Sequence, residues 1–250
     1  MKSFVFASRN FKELIREPLS WVFCMGFPIV MLVLMTVINE SIPPQAGMTL
    51  FQLQNLAPGI GIFGLTFIML FASLLVSGDR KDAFLLRIFT SPMKSWEYIS
   101  GYILPLIILG IGQLLVSCIA SLIMGAVLGT TLDMVNMLVS VVAALPAIIM
   151  FISFGLLFGT LFTKNAAPGI CSIIICLSGM LGGIWMDVES IGGVLKDICN
   201  ALPFYHAVNA VREVFGGDFS AGFAESGIVL IWAAVVTLLA IIVFRRKMRF

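Results

Sequence analysis

The chain has 250 residues, 60% of them hydrophobic and only 11% charged, with a formal net charge of +2 and a mean hydropathy of +1.10. A soluble domain is roughly 45–50% apolar and about 25% charged, so this chain cannot build the polar shell that water requires. The bilayer is its natural solvent; the small net charge says little about partners, and the placing of the charges says much more.

A helix needs about 20 apolar residues, at about 1.5 Å each, to cross about 30 Å of hydrocarbon. Residues 1–18 come before any such run. Phe4, Ala7, Phe11, Leu14 and Ile15 recur there at helical spacing, Arg9, Lys12, Glu13 and Arg16 fall largely on the other side, and Pro18 ends the segment. This predicts an interfacial helix lying on the inner leaflet. Spans follow at 19–38 and 56–77, then a charged segment at 79–97, then spans at 99–128, 138–162 and 166–185. An outer segment at 186–226 precedes a sixth span at 227–244. Pro105 predicts a bend in the third span. The spans must be helical, because backbone groups in lipid have no other partners. The whole of 1–250 reads as one transmembrane domain.

Lysine and arginine set the direction. The N-terminal segment holds four, the 79–97 segment four, the loop after the fourth span one, and the C-terminus four, together 13 of the 15. Six spans place all of these on one side, with both termini in the cytoplasm. The other side keeps Lys196 and Arg212 with eight acids.

Within the outer segment, Ile191, Val194, Leu195, Ile198 and Leu202 form an apolar stripe on a short helix. Pro203 starts a second helix with Phe204, Ala207, Val208, Val211 and Phe215 on one face and His206, Asn209 and Arg212 opposite. Each piece is too short to span, so a re-entrant or interfacial hairpin is expected, with Pro203, His206 and Arg212 its marked residues. The pair Gly155 and Gly159 in the fourth span allows close helix contact and is read as intramolecular packing.

The inventory for chemistry is empty. There is no phosphate-binding loop, no metal-ligand spacing among the five cysteines, and no Ser/His/Asp or Cys/His set, since His206 is the single histidine. No acid or base lies inside a proposed span, which argues against an ion-driven carrier or a charge-ring channel. The interior polar groups are mild; Gln113, Ser117 and Ser73 are the candidates to line a route, against the plainer reading that they satisfy neighbouring helices. A six-span chain without an engine, carrying a dense charged segment on the cytoplasmic side, suggests an external engine that docks there.

The segment Arg80-Lys81-Asp82-Ala83-Phe84-Leu85-Leu86-Arg87-Ile88-Phe89-Thr90-Ser91-Pro92 resembles the stretch after the second span of ABC-2 type transporter permeases. Arg80, Leu85, Arg87, Ser91 and Pro92 match the family pattern; Lys81, Ala83 and Phe84 depart from it. Leu202-Pro203-Phe204 with Ala207–Arg212, and Phe11–Pro18 with Phe27-Pro28, resemble the family's other conserved stretches in the same order.

The resemblance implies an all-α membrane fold with an N-terminal interfacial helix, a cytoplasmic coupling helix between the second and third spans, and an outer re-entrant hairpin before the sixth. It implies the membrane subunit of a bacterial exporter in the inner membrane, paired with a second membrane subunit, a copy or a relative, and powered by two ABC ATPase subunits. ATP and Mg would sit on that ATPase, with no cofactor, metal or catalytic residue on this chain and no nucleic-acid partner. The coupling residues implied are Arg80, Lys81, Asp82, Phe84, Arg87 and Pro92. The 14 Met and 21 Phe suit a hydrophobic or amphiphilic cargo such as a drug, antibiotic, peptide or lipid; a glycan or sodium is the alternative. A non-transporting assembly or sensor subunit and a membrane-embedded enzyme are the rival classes. The empty catalytic inventory disfavours the enzyme, and a co-purifying ATPase separates the exporter from the module.

Overall fold

The computed structural model describes residues 2–41, 50–81 and 95–247, and these are predominantly helical, with no strand among the described residues. Helix α1 is Lys2–Arg16. Glu17 leaves helical geometry and Pro18 opens α2, Pro18–Ser41, where its missing N–H costs nothing. A π-helical stretch at Val22–Gly26 interrupts α2 one turn before Pro28. Helix α3 is Leu53–Lys81 and α4 is Ser95–Leu128. Helix α5 runs Met134–Leu161, N-capped by Asp133, whose carboxylate accepts from the backbone N–H of Val135 and Asn136.

Helix α6 is Ala167–Leu181, α7 is Val188–Ile191, α8 is Gly193–Ala201, α9 is Pro203–Gly216 and α10 is Phe219–Lys247. Gly217 ends α9 at φ 99°, a left-handed position that glycine adopts without a Cβ clash. Five of these helices, α2 to α5 and α10, are long and apolar enough to cross a membrane. The expected fifth span is represented by α6, whose 15 residues reach roughly 22 Å. It stops at Gly182-Gly183, where Gly183 takes φ 68° and turns the chain toward α7.

Helix α3 is the axis of the bundle, buried along almost its whole length from Leu53 to Asp79. Glycines on α3 and on its neighbours let the helices approach closely. A Cβ on Gly155 of α5 would stand 2.4 Å from the Met69 carbonyl oxygen, and one on Gly159 would stand 2.6 Å from that of Ser73. The Gly155/Gly159 pair is thus an intramolecular seam between α5 and α3. Gly64 makes a second seam, with the Gln113 amide of α4 and Pro28 of α2 closing on it. By contrast α2 and α10 turn large apolar side chains outward, among them Val30, Val37, Leu230, Ile231 and Leu238. Such a surface needs lipid or another apolar partner.

The buried face of α1 is rotated from the expected one. Phe6, Ala7, Asn10 and Leu14 are buried, whereas Phe4 and Val5 are each 72% exposed. The reason is a specific socket: the Phe6 ring stands edge-on to Tyr98 and Tyr102, at 6.1 and 5.0 Å, over Gly101 of α4. The stripe expected on a single first outer helix is split by Gly192-Gly193, at φ 63° and 58°, between α7 and α8, and only Leu195 and Leu202 of it pack inward. Ile191, Val194 and Ile198 are exposed, and Cys199 with Val188 and Tyr205 supplies the buried side.

Candidate functional site

The charged groups gather at two opposite ends of the bundle. At the basic end, Asp79 sits in the last turn of α3, only 4% exposed. A carboxylate at such a place needs compensation, and Arg9 of α1 supplies it in bidentate form, Nη1 to Oδ2 and Nη2 to Oδ1, both at 2.8 Å. The Tyr102 hydroxyl of α4 donates to Asp79 Oδ2 at 2.8 Å. Three helices therefore meet on one carboxylate.

Neighbours hold the arginine in place. Asn10 Oδ1 accepts from Arg9 Nη1 at 3.0 Å, and the Asn10 amide donates to the Gly101 carbonyl at 3.0 Å. Glu13 pairs with Arg9 Nη2 at 2.8 Å, one turn along α1. Burial alone would push the Arg9 pKa down, but the bonds and charges of Asp79 outweigh it and the net direction is up. Glu13 is pushed up by burial, against the pull of Arg9. The arrangement does no bond chemistry. It is a rigid clamp joining α1 to the end of α3 and the start of α4, the two roots of the segment between them.

Of the coupling residues read from sequence, Asp82, Phe84, Arg87 and Pro92 lie outside the described residues. Arg80 is described: its Nη1 donates to the carbonyls of Gly159, Thr160 and Phe162 at the C-terminus of α5. Lys247 of α10 donates to the Leu161 carbonyl there at 3.1 Å. Two cations thus satisfy the unpaired carbonyls of one helix end, where its dipole is negative. Lys81 is exposed at the end of α3.

At the opposite end the cation is Arg212 of α9. Its Nε donates to the Asn55 carbonyl at 3.0 Å and its Nη2 to the Gly183 carbonyl at 2.9 Å. One guanidinium thus ties α9 to the start of α3 and the turn after α6. Burial pushes Arg212 down to about 10, with Tyr205 and Asp187 pulling weakly the other way. Beside it, Glu189 pairs with Lys196 and accepts from the Tyr205 hydroxyl at 2.8 Å. Those two bonds draw Glu189 below the usual carboxylate range. His206 meets the Glu225 carboxylate through Nδ1 and the Asn200 carbonyl through Nε2, the latter at 2.8 Å. Pro203 is buried in the first turn of α9.

The three route candidates are buried inside the bundle. Gln113 donates to the Gly61 carbonyl and to Ser117 Oγ, each at 3.2 Å. Ser117 also lines a cavity of about 20 Å³ with Ser121 and Ser140. Ser73 lies on the α5 seam, where its carbonyl faces Gly159. Gln113 and Ser117 thus bond each other, and among the described residues no hydrogen bond joins Ser73 to either.

Sequence reasoning named neither Asn10, Tyr102 nor Glu225 as functional, and it gave Asp79 no partner. The readable signal was Asn10 one turn after Phe6 and before Leu14 on α1, a polar residue on a face that is otherwise apolar.

No curated protein matches the chain. A family model described as ABC-2 type transporter matches residues 2–215, from the first turn of α1 to the end of α9, which takes in both the clamp at the basic end and Arg212 at the other. Membership of that family implies a multi-pass membrane setting and association with an ABC ATPase, and on that match the chain belongs to the ABC-2 type transporter family.

Proposed function

We propose that this chain is the membrane subunit of an ATP-driven exporter in the inner membrane of a bacterium. The observation that carries the reading is the Asp79 clamp, because it binds the interfacial helix to both roots of the 82–94 segment. An ATPase pressing on that segment would move α1, the end of α3 and the start of α4 as one body. Arg80, bonded to the end of α5, would carry the same displacement into the centre of the bundle. Lys81, Asp82, Phe84, Arg87 and Pro92 are the contacts proposed for the ATPase itself.

In this reading there are six crossings with both termini in the cytoplasm, the shortest made by α6 and completed by the turn and hairpin that follow it. Helices α8 and α9 form the outer hairpin. Two membrane subunits and two ATPase subunits make the working unit, and ATP and Mg belong to the ATPase. The cargo is hydrophobic or amphiphilic, in keeping with spanning helices whose charged residues lie toward their ends, and it leaves outward past the outer hairpin.

A charge exchange tests the proposal. With the ATPase co-expressed and the complex in proteoliposomes, Arg9→Asp and Asp79→Arg should each leave ATP hydrolysis uncoupled from efflux across a panel of hydrophobic dyes and amphiphilic peptides. The double exchange should restore coupling. Full coupling in both single variants, or failure of any ABC ATPase to co-purify with the chain, would overturn the proposal.

A further inference from the structure

The clamp leaves an open groove on its other flank. It lies between α1 and the last turns of α3, has a volume of about 1160 Å³, and is bounded at one end by Pro18 and at its rim by Lys164. Its floor is apolar, made by Phe71, Leu74 and Leu75 of α3, with the exposed Phe4 and Val5 of α1 along one side. Its rim carries Lys12, Arg16 and Lys164, all exposed and none in an ion pair or hydrogen bond among the described residues, with Lys164 near enough to Glu13 to act on its charge. The rim acids are Glu13, already held by Arg9, and Glu17, so the groove keeps an excess of positive charge.

No single simple ligand matches both zones. A soluble anion would leave the apolar floor wet, and a purely apolar molecule would leave three cations unmet. We infer that the groove holds an anionic glycerophospholipid of the inner leaflet, its phosphate among Lys12, Arg16 and Lys164 and an acyl chain along Phe71, Leu74 and Leu75. The height is right if, as proposed above, this end of the bundle faces the cytoplasm: α1 then lies at the headgroups, and the apolar turns of α3 lie at the edge of the hydrocarbon. The lipid would brace the flank of α1 that the described residues leave uncovered, opposite the Phe6 socket. The clamp would thus be sensitive to the charge of the surrounding leaflet.

Native mass spectrometry of the full chain, released from mixed phosphatidylglycerol and phosphatidylcholine membranes, tests this. Phosphatidylglycerol should be retained over phosphatidylcholine, and neutralising each cation (Lys12→Gln, Arg16→Gln, Lys164→Gln) should lower that retention about fivefold. Leu74→Trp, which fills the floor without changing charge, should displace the lipid as well and decides the matter if the triple charge variant does not fold. Equal retention of the two lipids, or retention unchanged in the variants, would overturn the inference. So would a triple variant that keeps the lipid but loses the ATPase, since the rim would then be a protein-docking surface. ATPase co-purification and ATP-driven efflux are scored separately. Lipid selectivity that survives their failure would reject the exporter reading and leave the groove standing.

Discussion

At the basic end Arg9 meets a carboxylate, whereas at the opposite end Arg212 meets only backbone carbonyls. Each joint ties three elements, through the Asp79 carboxylate at one end and the Arg212 guanidinium at the other, yet the two respond differently to damage. Asp79 is nearly sealed from water while Arg9 is 36% exposed, so in that pair the acid is the captive charge. At the other end the cation itself is captive, and its partners are neutral. Breaking a buried pair from the exposed side strands a charge; removing a lone buried cation also removes its desolvation cost.

The largest effect expected is therefore that of Arg9→Ala, which leaves Asp79 with only the Tyr102 hydroxyl. It should cost about 3–5 kcal/mol, read as a lowered unfolding midpoint of the purified chain. Asp79→Ala frees a guanidinium that can reach water and Glu13, and should cost less, about 1–3 kcal/mol. The double variant should be more stable than Arg9→Ala alone; equal losses in the two would refute the captive-acid account.

Arg212→Gln comes next. It leaves the Asn55 and Gly183 carbonyls short of donors but discharges a cation whose pKa burial has already lowered to about 10. The balance should be a loss of about 1 kcal/mol, with no hydrogen-bonded acid whose removal rescues it. A loss as large as that of Arg9→Ala would mean that an anion outside this chain completes the site. Tyr102→Phe should cost a similar or smaller amount, about 1 kcal/mol. It keeps the bidentate pair, so coupling of ATP hydrolysis to efflux should survive it, in contrast to Arg9→Asp.

What could be read from the sequence was what repeats locally. The apolar runs, the break at Pro18, the Gly155/Gly159 seam and the short helix begun by Pro203 all depend on residues a few positions apart. What could not be read was pairing at a distance. Arg9 and Asp79 are 70 residues apart, and Asn10 and Gly101 are 91 apart; nothing in periodicity says which acid an interfacial arginine will find. Orientation was lost for a related reason. In α1 a hydrophobic count favours Phe4 and Ile15, but the glycine at 101 makes room for Phe6 instead, and that preference belongs to the partner helix. The stripe at Ile191, Val194 and Ile198 was legible as helical, but not that Gly192 and Gly193, at φ 63° and 58°, split it between α7 and α8, nor that Val188, Cys199 and Tyr205 would come together on the buried side.

The smallest effect tests how independent the two ends are. The two ring nitrogens of His206 meet the Glu225 carboxylate and the Asn200 carbonyl. The bond to Glu225 is one of the ties between α9 and α10, alongside the packing of Gly222 on Val214. His206→Ala should cost about 0.5–1 kcal/mol because the pair is partly solvated. Amide exchange across residues 203–216 should speed up, while exchange in α1 stays as it was. Unchanged exchange in 203–216 would show that Gly222 packing alone fixes the hairpin. Combined with Arg9→Ala, the losses should add, because the two sites share no partner. A departure from additivity would mean that α3, which Arg212 grips at its first turn and Arg9 at its last, carries strain from one end to the other.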